Sequence, residues 1–257
     1  MKKTYLLLIV VLIATLCTLG NALTVDEIIE KNVKARGGIE KFEAVKTKRA
    51  TGKSIIQGME FPFILQQKRP DYFRLESTIQ GMTIVQAYDG ETAWQTSPLS
   101  GEPQEMPSAQ AKSFRNQADL DGPLVGYKED GFTAELIGKE KVNGTDVYHL
   151  KFTKTNDSLS AVTGNFITHV YLDAKTFIET KITIEGHMGG NDFKVDTYLG
   201  DYKKVGGLLM HHSMETKLGG QTVSKMITEK IELNVDIDDS IFKMLKKKIE
   251  KKEAGKG

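Results

Sequence analysis

The sequence predicts a mainly β protein with helices capping one face of a single, strongly curved antiparallel sheet. Two observations carry this. From Lys46 onward the hydrophobic period drops from about 3.6 residues to about 2, in short runs rich in β-branched and aromatic side chains. Tight-turn signals separate those runs: Gly58, Gly81, Asp89-Gly90, Asn143-Gly144, Asp173-Ala174, Gly189-Gly190, Gly206-Gly207 and Gly219-Gly220. Connections this short join antiparallel neighbours, because parallel ones need crossovers of a dozen or more residues.

Taken in order, the elements begin with a helix. Thr24 followed by Glu27 is a capping-box pair, Val25, Ile28, Ile29 and Val33 recur at helical spacing, and Gly37-Gly38 ends the element. A helical turn over 39–45 follows. Strands are expected at 47–57, 60–68, 72–78, 82–88, 92–96, 132–140, 145–154, 166–172, 176–186, 193–202, 208–217 and 221–233. Residues 97–131 interrupt them with Pro98, Pro103, Pro107, Pro123 and a polar helical segment over 108–120. Long insertions in compact domains are usually functional lids or disordered loops, and the helical segment in this one is expected to join the first helix in covering an open face of the sheet.

The 257 residues are 39% hydrophobic and 27% charged, with a net charge of +1. That composition describes an ordinary globular chain, and the near-zero charge argues against a nucleic-acid partner, since neutralising phosphates needs a basic face. The charge is unevenly placed. Lys2, Lys3, the apolar run 5–16 and Gly20-Asn21-Ala22 have the order of a secretory signal peptide, so residues 1–22 are expected to be removed after Ala22. Lipidation at Cys17 is disfavoured by the bulky Leu16 before it. The exported chain then contains no cysteine, and its stability must come from burial and backbone pairing. Residues 243–257 hold seven Lys and two Glu, a flexible Lys-rich tail on an acidic body over 23–242.

Alternation gives the strands one-sided apolar faces: Phe61, Phe63 and Leu65; Phe73 and Leu75; Tyr148, Leu150 and Phe152; Ile178, Ile182 and Ile184; Val223, Ile227 and Ile231. These faces should converge on one interior, filled or hollow. Chemistry is harder to find. His211-His212-Ser213 lies in a predicted strand, where adjacent imidazoles point to opposite faces and cannot readily share a metal. There is no phosphate loop, nucleophile elbow, Cys pair or His-Glu-x-x-His. Asp196, Asp201 and Glu185 are scattered acids on strand surfaces. The expectation is a protein that is not an enzyme and uses no cofactor and no metal.

Two segments carry a family resemblance. Lys68-Arg69-Pro70-Asp71-Tyr72-Phe73-Arg74, followed by Val85 and the run Tyr88-Asp89-Gly90-Glu91-Thr92-Ala93-Trp94, resemble the Lys-Arg-Pro-Asn-x-Phe and Asp-Gly-x-x-x-Trp segments of LolA-like periplasmic lipoprotein carriers. The similarity runs from the Thr24 helix to Asp238-Asp239-Ser240-Ile241-Phe242. It implies an incomplete antiparallel β-barrel of about 11–12 strands, with a helical lid over an apolar cavity. The function implied is a monomeric periplasmic carrier of acyl chains from lipoproteins or lipids, serving inner- and outer-membrane transport proteins. The cavity would be lined by Phe61, Phe63, Leu65, Phe73, Leu75, Trp94, Tyr148, Leu150, Phe152, Ile182, Ile184 and Ile227. Arg69 takes the place of the arginine that holds the lid closed, against the alternative of a rim ion pair with Glu60 or Glu76. A sensor that docks a protein partner on the same fold is the second reading.

Overall fold

The computed structural model describes residues 23–244 apart from 98, 99, 108–110, 112, 113, 115, 116, 155–165, 189 and 190. The expected signal peptide, most of the Lys-rich tail, the Gly189-Gly190 turn and part of the helical segment 108–120 lie outside the described residues.

Helix α1 (Val25–Arg36) begins as its sequence dictates. Thr24 accepts from the Glu27 amide and the Glu27 carboxylate accepts from the Thr24 amide at 2.7 Å, so two orphan donors of the first turn are satisfied reciprocally. Gly37 and Gly38 close it at φ 134° and 94°, conformations in which a side chain would be strained. Helix α2 (Ile39–Ala44) follows at once.

The strands are β1 (Thr47–Ile56), β2 (Met59–Lys68), β3 (Tyr72–Ile79), β4 (Met82–Asp89), β5 (Ala93–Thr96), β6 (Pro103–Glu105), β7 (Phe132–Val142), β8 (Thr145–Lys154), β9 (Ile167–Asp173), β10 (Glu179–Met188), β11 (Asn191–Gly200), β12 (Lys203–Val205), β13 (Leu208–Met210), β14 (Ser213–Leu218) and β15 (Gln221–Leu233). Thirteen of them form one antiparallel sheet in the order β6-β5-β4-β3-β2-β1-β15-β14-β11-β10-β9-β8-β7. The expected strand over 208–217 is broken at His211 and His212. Its first part pairs with β12 in a separate hairpin, because the His212 amide bonds back to Gly200 O and Asp201 O instead of continuing a ladder.

This order explains the long excursion. Strands β6 and β7 follow one another in the chain yet form opposite edges of the sheet. The connection must therefore cross the whole inner face. It does so in three steps, packing Phe114 and Ala118 against Phe73 and Tyr88, then Leu120 against Phe42 and Leu208, then Leu124 and Tyr127 against α1 and Leu150. Ala111, Phe114, Gln117 and Ala118 are helical. The excursion is a strap over the sheet, and the sheet beneath it is not closed.

Helix α1 covers the other flank, setting Ile28 and Ile29 on Tyr148, Leu150, Phe152, Val170 and Leu172. Burial of each such side chain is worth about 1.5–3 kcal/mol, so this cluster anchors the lid to the sheet. The outer face carries a second cover. The 3-10 turn Asp239–Phe242 lays a fully buried Phe242 against Tyr72, ring centroids 5.2 Å apart, and Phe242 O accepts from Trp94 Nε1 at 2.7 Å.

Two expected lining residues therefore lie on the wrong side. Trp94 pairs with Ala87 and packs with Val85 on the outer face beneath this C-terminal turn, because Ala93 and not Trp94 shares the inner face with Tyr88. Ile227 pairs with Lys53 and Ser213, also outside. A bulge is responsible: β1 slips against β15 between Thr51 and Gly52, so Ile231 points inward onto the Phe42 cluster while Ile227 points out. The backbones close up there, and a Cβ at Gly52 would collide with Ile227 O.

Candidate ligand-binding face

The inner face has two halves. Near the start of β1 and the ends of β2 and β15 it is roofed by α1, α2 and the strap. Phe73, Tyr148, Leu150 and Phe152 are buried there, and Leu65 and Leu75 are half-buried against the strap's cluster. These expected lining residues do face inward, but they pack against the roof. Phe63 is buried on the same face.

Away from the roof the same face is apolar and open. Register places Phe61, Ser54, Met226, Met214 and Leu199 in one row across five strands. Phe152, Thr168, Ile184, Val195 and Leu218 form another. Ile184 is 41% exposed, Leu218 50%, Met59 51% and Met82 53%. Phe166 and Phe193 meet at 5.6 Å at one end of this surface. Antiparallel sheets normally turn one apolar face to a core and one polar face to water. Here the face directed at the core continues past its cover. Of the expected lining residues, Phe61, Ile182 and Ile184 lie in or border this open half, where the alternation rule missed Met59, Met82, Met214, Leu218 and Met226.

Arg69 links roof to sheet. Its Nε donates to Val45 O at 2.8 Å, and its Nη2 donates to Phe42 O at 3.1 Å and to Asp121 Oδ1 at 2.5 Å. One guanidinium thus ties α2 and the strap to the end of β2. The alternative rim pairing does not form: Glu60 bonds Lys53 at 2.7 Å, and Glu76 bonds Arg74 at 2.8 Å. On the neighbouring inward position of β2, Gln67 Nε2 donates to the strap carbonyls Gln117 O and Asp119 O at 2.6 and 3.3 Å.

Under the roof lies a polar cluster that the sequence pattern did not single out. Arg36 of α1 pairs with Glu179 at 2.9 Å, both nearly buried, and Tyr202 donates to Glu179 O at 2.8 Å. Lys48 projects inward from β1 opposite Gln67. Burial pushes its ammonium down to about 8, with Arg36 adding to the effect and Asp119 opposing it. Burial likewise pulls His211 down to about 4, helped by Lys48, and raises Asp119 from its ordinary value. A charged residue at Lys48, in phase with Ala50, Gly52 and Ser54, was the available signal.

The remaining polar candidates are structurally occupied. His212 is buried with Nδ1 at 3.1 Å from Met210 O, and His211 lies edge-on to Tyr202. Asp196 pairs with Lys181, Asp201 with Lys203, and Glu185 with His169. Among the described residues no cluster of three or more His, Cys, Asp or Glu has the arrangement of a metal site, and no helix is long and apolar enough to cross a membrane. A groove of about 430 Å³ between α1 and the 124–129 turn, floored by Ile29, Val33 and Leu124, lies within the roof itself.

An unclosed antiparallel sheet with helices and a strap across half of its inner face is the LolA-like open-barrel fold. Solved structures to which the chain is similar include the following three. A LolA superfamily protein from Nitrosomonas europaea matches with 15% identity and a TM-score of 0.58, over 86% of this chain and 98% of that one. A DUF1329 family protein from Desulfovibrio piger matches with 13% identity and a TM-score of 0.56, over 86% and 98%. An outer membrane lipoprotein-sorting protein domain from Vibrio parahaemolyticus matches with 16% identity and a TM-score of 0.54, over 83% and 97%. At these identities the likeness is one of fold. No curated protein sequence matches the chain. A family model described as "Uncharacterized protein" matches residues 72–246, and the chain belongs to that family.

Proposed function

We propose that the protein is a periplasmic carrier that takes acyl chains of lipoproteins or lipids onto the open half of its inner face and moves them toward the outer membrane. In this reading residues 1–22 direct export and are removed, residues 23–242 form the carrier, and 243–257 are a solvated basic tail. The observation that supports it most is the run of inward-facing, exposed apolar side chains, Met59, Met82, Ile184 and Leu218, continuous with the roofed core. Each CH₂ removed from water is worth ~0.8 kcal/mol, so an acyl chain leaves a membrane only for a surface of this kind. The roof held by Arg69 is the lid in this scheme. It moves aside for cargo, and loading is coupled to conformation without covalent chemistry.

Native mass spectrometry of protein purified from the periplasm, together with displacement of a fluorescent fatty acid, tests the proposal. A co-purifying acyl species and saturable displacement are expected; a clean apo mass with no probe binding would sink it.

One observation favours the second reading, a module that docks a protein partner without carrying lipid. Among the described residues strand β7 is an eleven-residue edge with one side unpaired in the sheet, and such edges accept an added strand. That reading predicts partner binding unchanged after delipidation.

A further inference from the structure

The open apolar half of the inner face and the polar cluster under the roof are parts of one surface. Along β1 the inward positions run Lys48, Ala50, Gly52, Ser54 and Ile56, from an ammonium through small side chains to an exposed isoleucine. At about 3.3 Å per residue this line is roughly 27 Å long. A single acyl chain spans about half of the ~30 Å bilayer core, so with its head group at Lys48 a tail running along this line reaches about Gly52, where the roofed half gives way to the open half.

The groups gathered there are short of partners. Among the described residues Lys48 Nζ makes no hydrogen bond or ion pair. Gln67, its register partner, is 3% exposed, and its Oε1 is buried without a partner; Arg36 Nε, Glu179 Oε2 and Asn32 Oδ1 are in the same condition. A few such atoms are normal in a protein of this size. These fall in one place: Asn32 and Arg36 are one turn apart on α1, Arg36 holds Glu179, and Arg36 and Lys48 act on each other electrostatically. A half-buried lysine with no acceptor is costly to keep, and among the described residues the carboxylate acting favourably on it is that of Asp119 of the strap, which makes no ion pair with it. Both Gln67 amide hydrogens are committed to strap carbonyls. Lifting the strap removes Asp119 and frees the Gln67 amide together, leaving the Lys48 ammonium, the Arg36–Glu179 pair and an amide facing the inner surface.

We propose that Lys48, with the Gln67 amide and the Arg36 guanidinium beside it, forms a head-group site for the anionic oxygens of an amphiphile, a carboxylate or a phosphate, whose tail lies on the open apolar half. This rests on the carrier reading and narrows it: the cargo is an anionic amphiphile, and the strap's Asp119 stands in for its charge when the lid is shut.

The test compares cis-parinaric acid with its methyl ester on the mature chain and on Lys48→Met and Lys48→Arg, with folding checked by Trp94 emission. Wild-type protein is expected to prefer the acid at least tenfold at pH 7. Lys48→Met should abolish that preference while ester binding stays unchanged, and Lys48→Arg should keep most of it. Dodecyl phosphate should displace the acid and inorganic phosphate should not. An equal affinity for acid and ester in the wild type, or an undiminished preference in Lys48→Met, overturns the head-group site and leaves the carrier standing. Displacement by inorganic phosphate alone overturns the assignment to an amphiphile. If neither acid nor ester binds, the carrier reading and the site both fall.

Discussion

Arg69 and Asp121 are 52 positions apart and meet at 2.5 Å, and the same guanidinium also bonds the carbonyls of Val45 and Phe42. Two roof elements, α2 with its C-terminal Val45 and the strap, thus depend on one side chain at the end of β2. Charge-assisted bonds of this kind contribute more than neutral ones, about 1.5–3 kcal/mol when part-buried. Arg69→Leu should therefore raise hydrogen exchange in residues 117–124 selectively, with a global loss of roughly 1–3 kcal/mol. Asp121→Asn should do so more weakly. Uniform exchange across sheet and strap would reject the roof-tying role.

Trp94 is the chain's single tryptophan, and it reports on the outer cover. Phe242 is fully buried and bonded through its carbonyl to the indole. Phe242→Ala should cost about 3–5 kcal/mol in urea unfolding and shift native Trp94 emission to the red, while leaving acyl-probe binding on the opposite face intact.

His211 sets an acid limit. Its folded pKa of about 4 lies below its unfolded value of about 6.5, so on acidification the unfolded chain takes the proton first. Stability held above pH 6.5 is then lost progressively down to about pH 4. The groups facing it are Lys48, Arg36, His212 and Tyr202. Its contribution is roughly 1–3 kcal/mol after allowance for its partial exposure. His211→Gln should flatten the Tm profile between pH 6.5 and 4.

Lys48 has a dependence of the same sign in a more alkaline window. Its folded pKa of about 8 lies below the unfolded value of about 10.4, so the charged form is penalised in the fold and the penalty is complete below pH 8. Lys48→Met should stabilise the protein by roughly 1–3 kcal/mol at pH 7. The gain should shrink as pH rises from about 8 to about 10.4. A lysine whose removal stabilises the fold is one retained for another purpose; equal Tm values at pH 7 would remove that support.

The open half should tolerate charge without loss of fold. Ile184 and Leu218 are 41% and 50% exposed, so Ile184→Lys and Leu218→Glu should change stability by about 0.5 kcal/mol or less. Each places a charge on the acyl-binding surface, and a loss of about 1.4 kcal/mol or more would weaken probe binding roughly tenfold. Unaltered titrations would move the acyl site elsewhere.

Local rules reached far into this molecule. The Thr24–Glu27 capping box, the Gly37-Gly38 stop, the antiparallel hairpins and nearly every strand follow from neighbours in the chain, because caps, turns and alternation are short-range physics. The same rules placed ten of the twelve expected lining residues on the inner face. They failed for Ile227, where the bulge opposite Gly52 inverted the strand beyond it, and Trp94, expected from the family resemblance, faces outward because Ala93 takes the inner position. A bulge comes from how two strands twist together, and neither strand carries it alone.

What the sequence by itself determined is an apolar inner face, a helix to cover part of it and a long insertion to cover more. Which parts would be covered was decided by strand order. Strands β6 and β7 take opposite edges, so the strap must cross, and where it crosses Phe73 and Leu150 become core while Ile184 and Leu218 stay open. The cluster of Lys48, Gln67, Arg36 and Glu179 is drawn from three strands and a helix up to 143 positions apart. Its members share no spacing, only a common electrostatic environment under the roof, and that environment exists only when the sheet has curled.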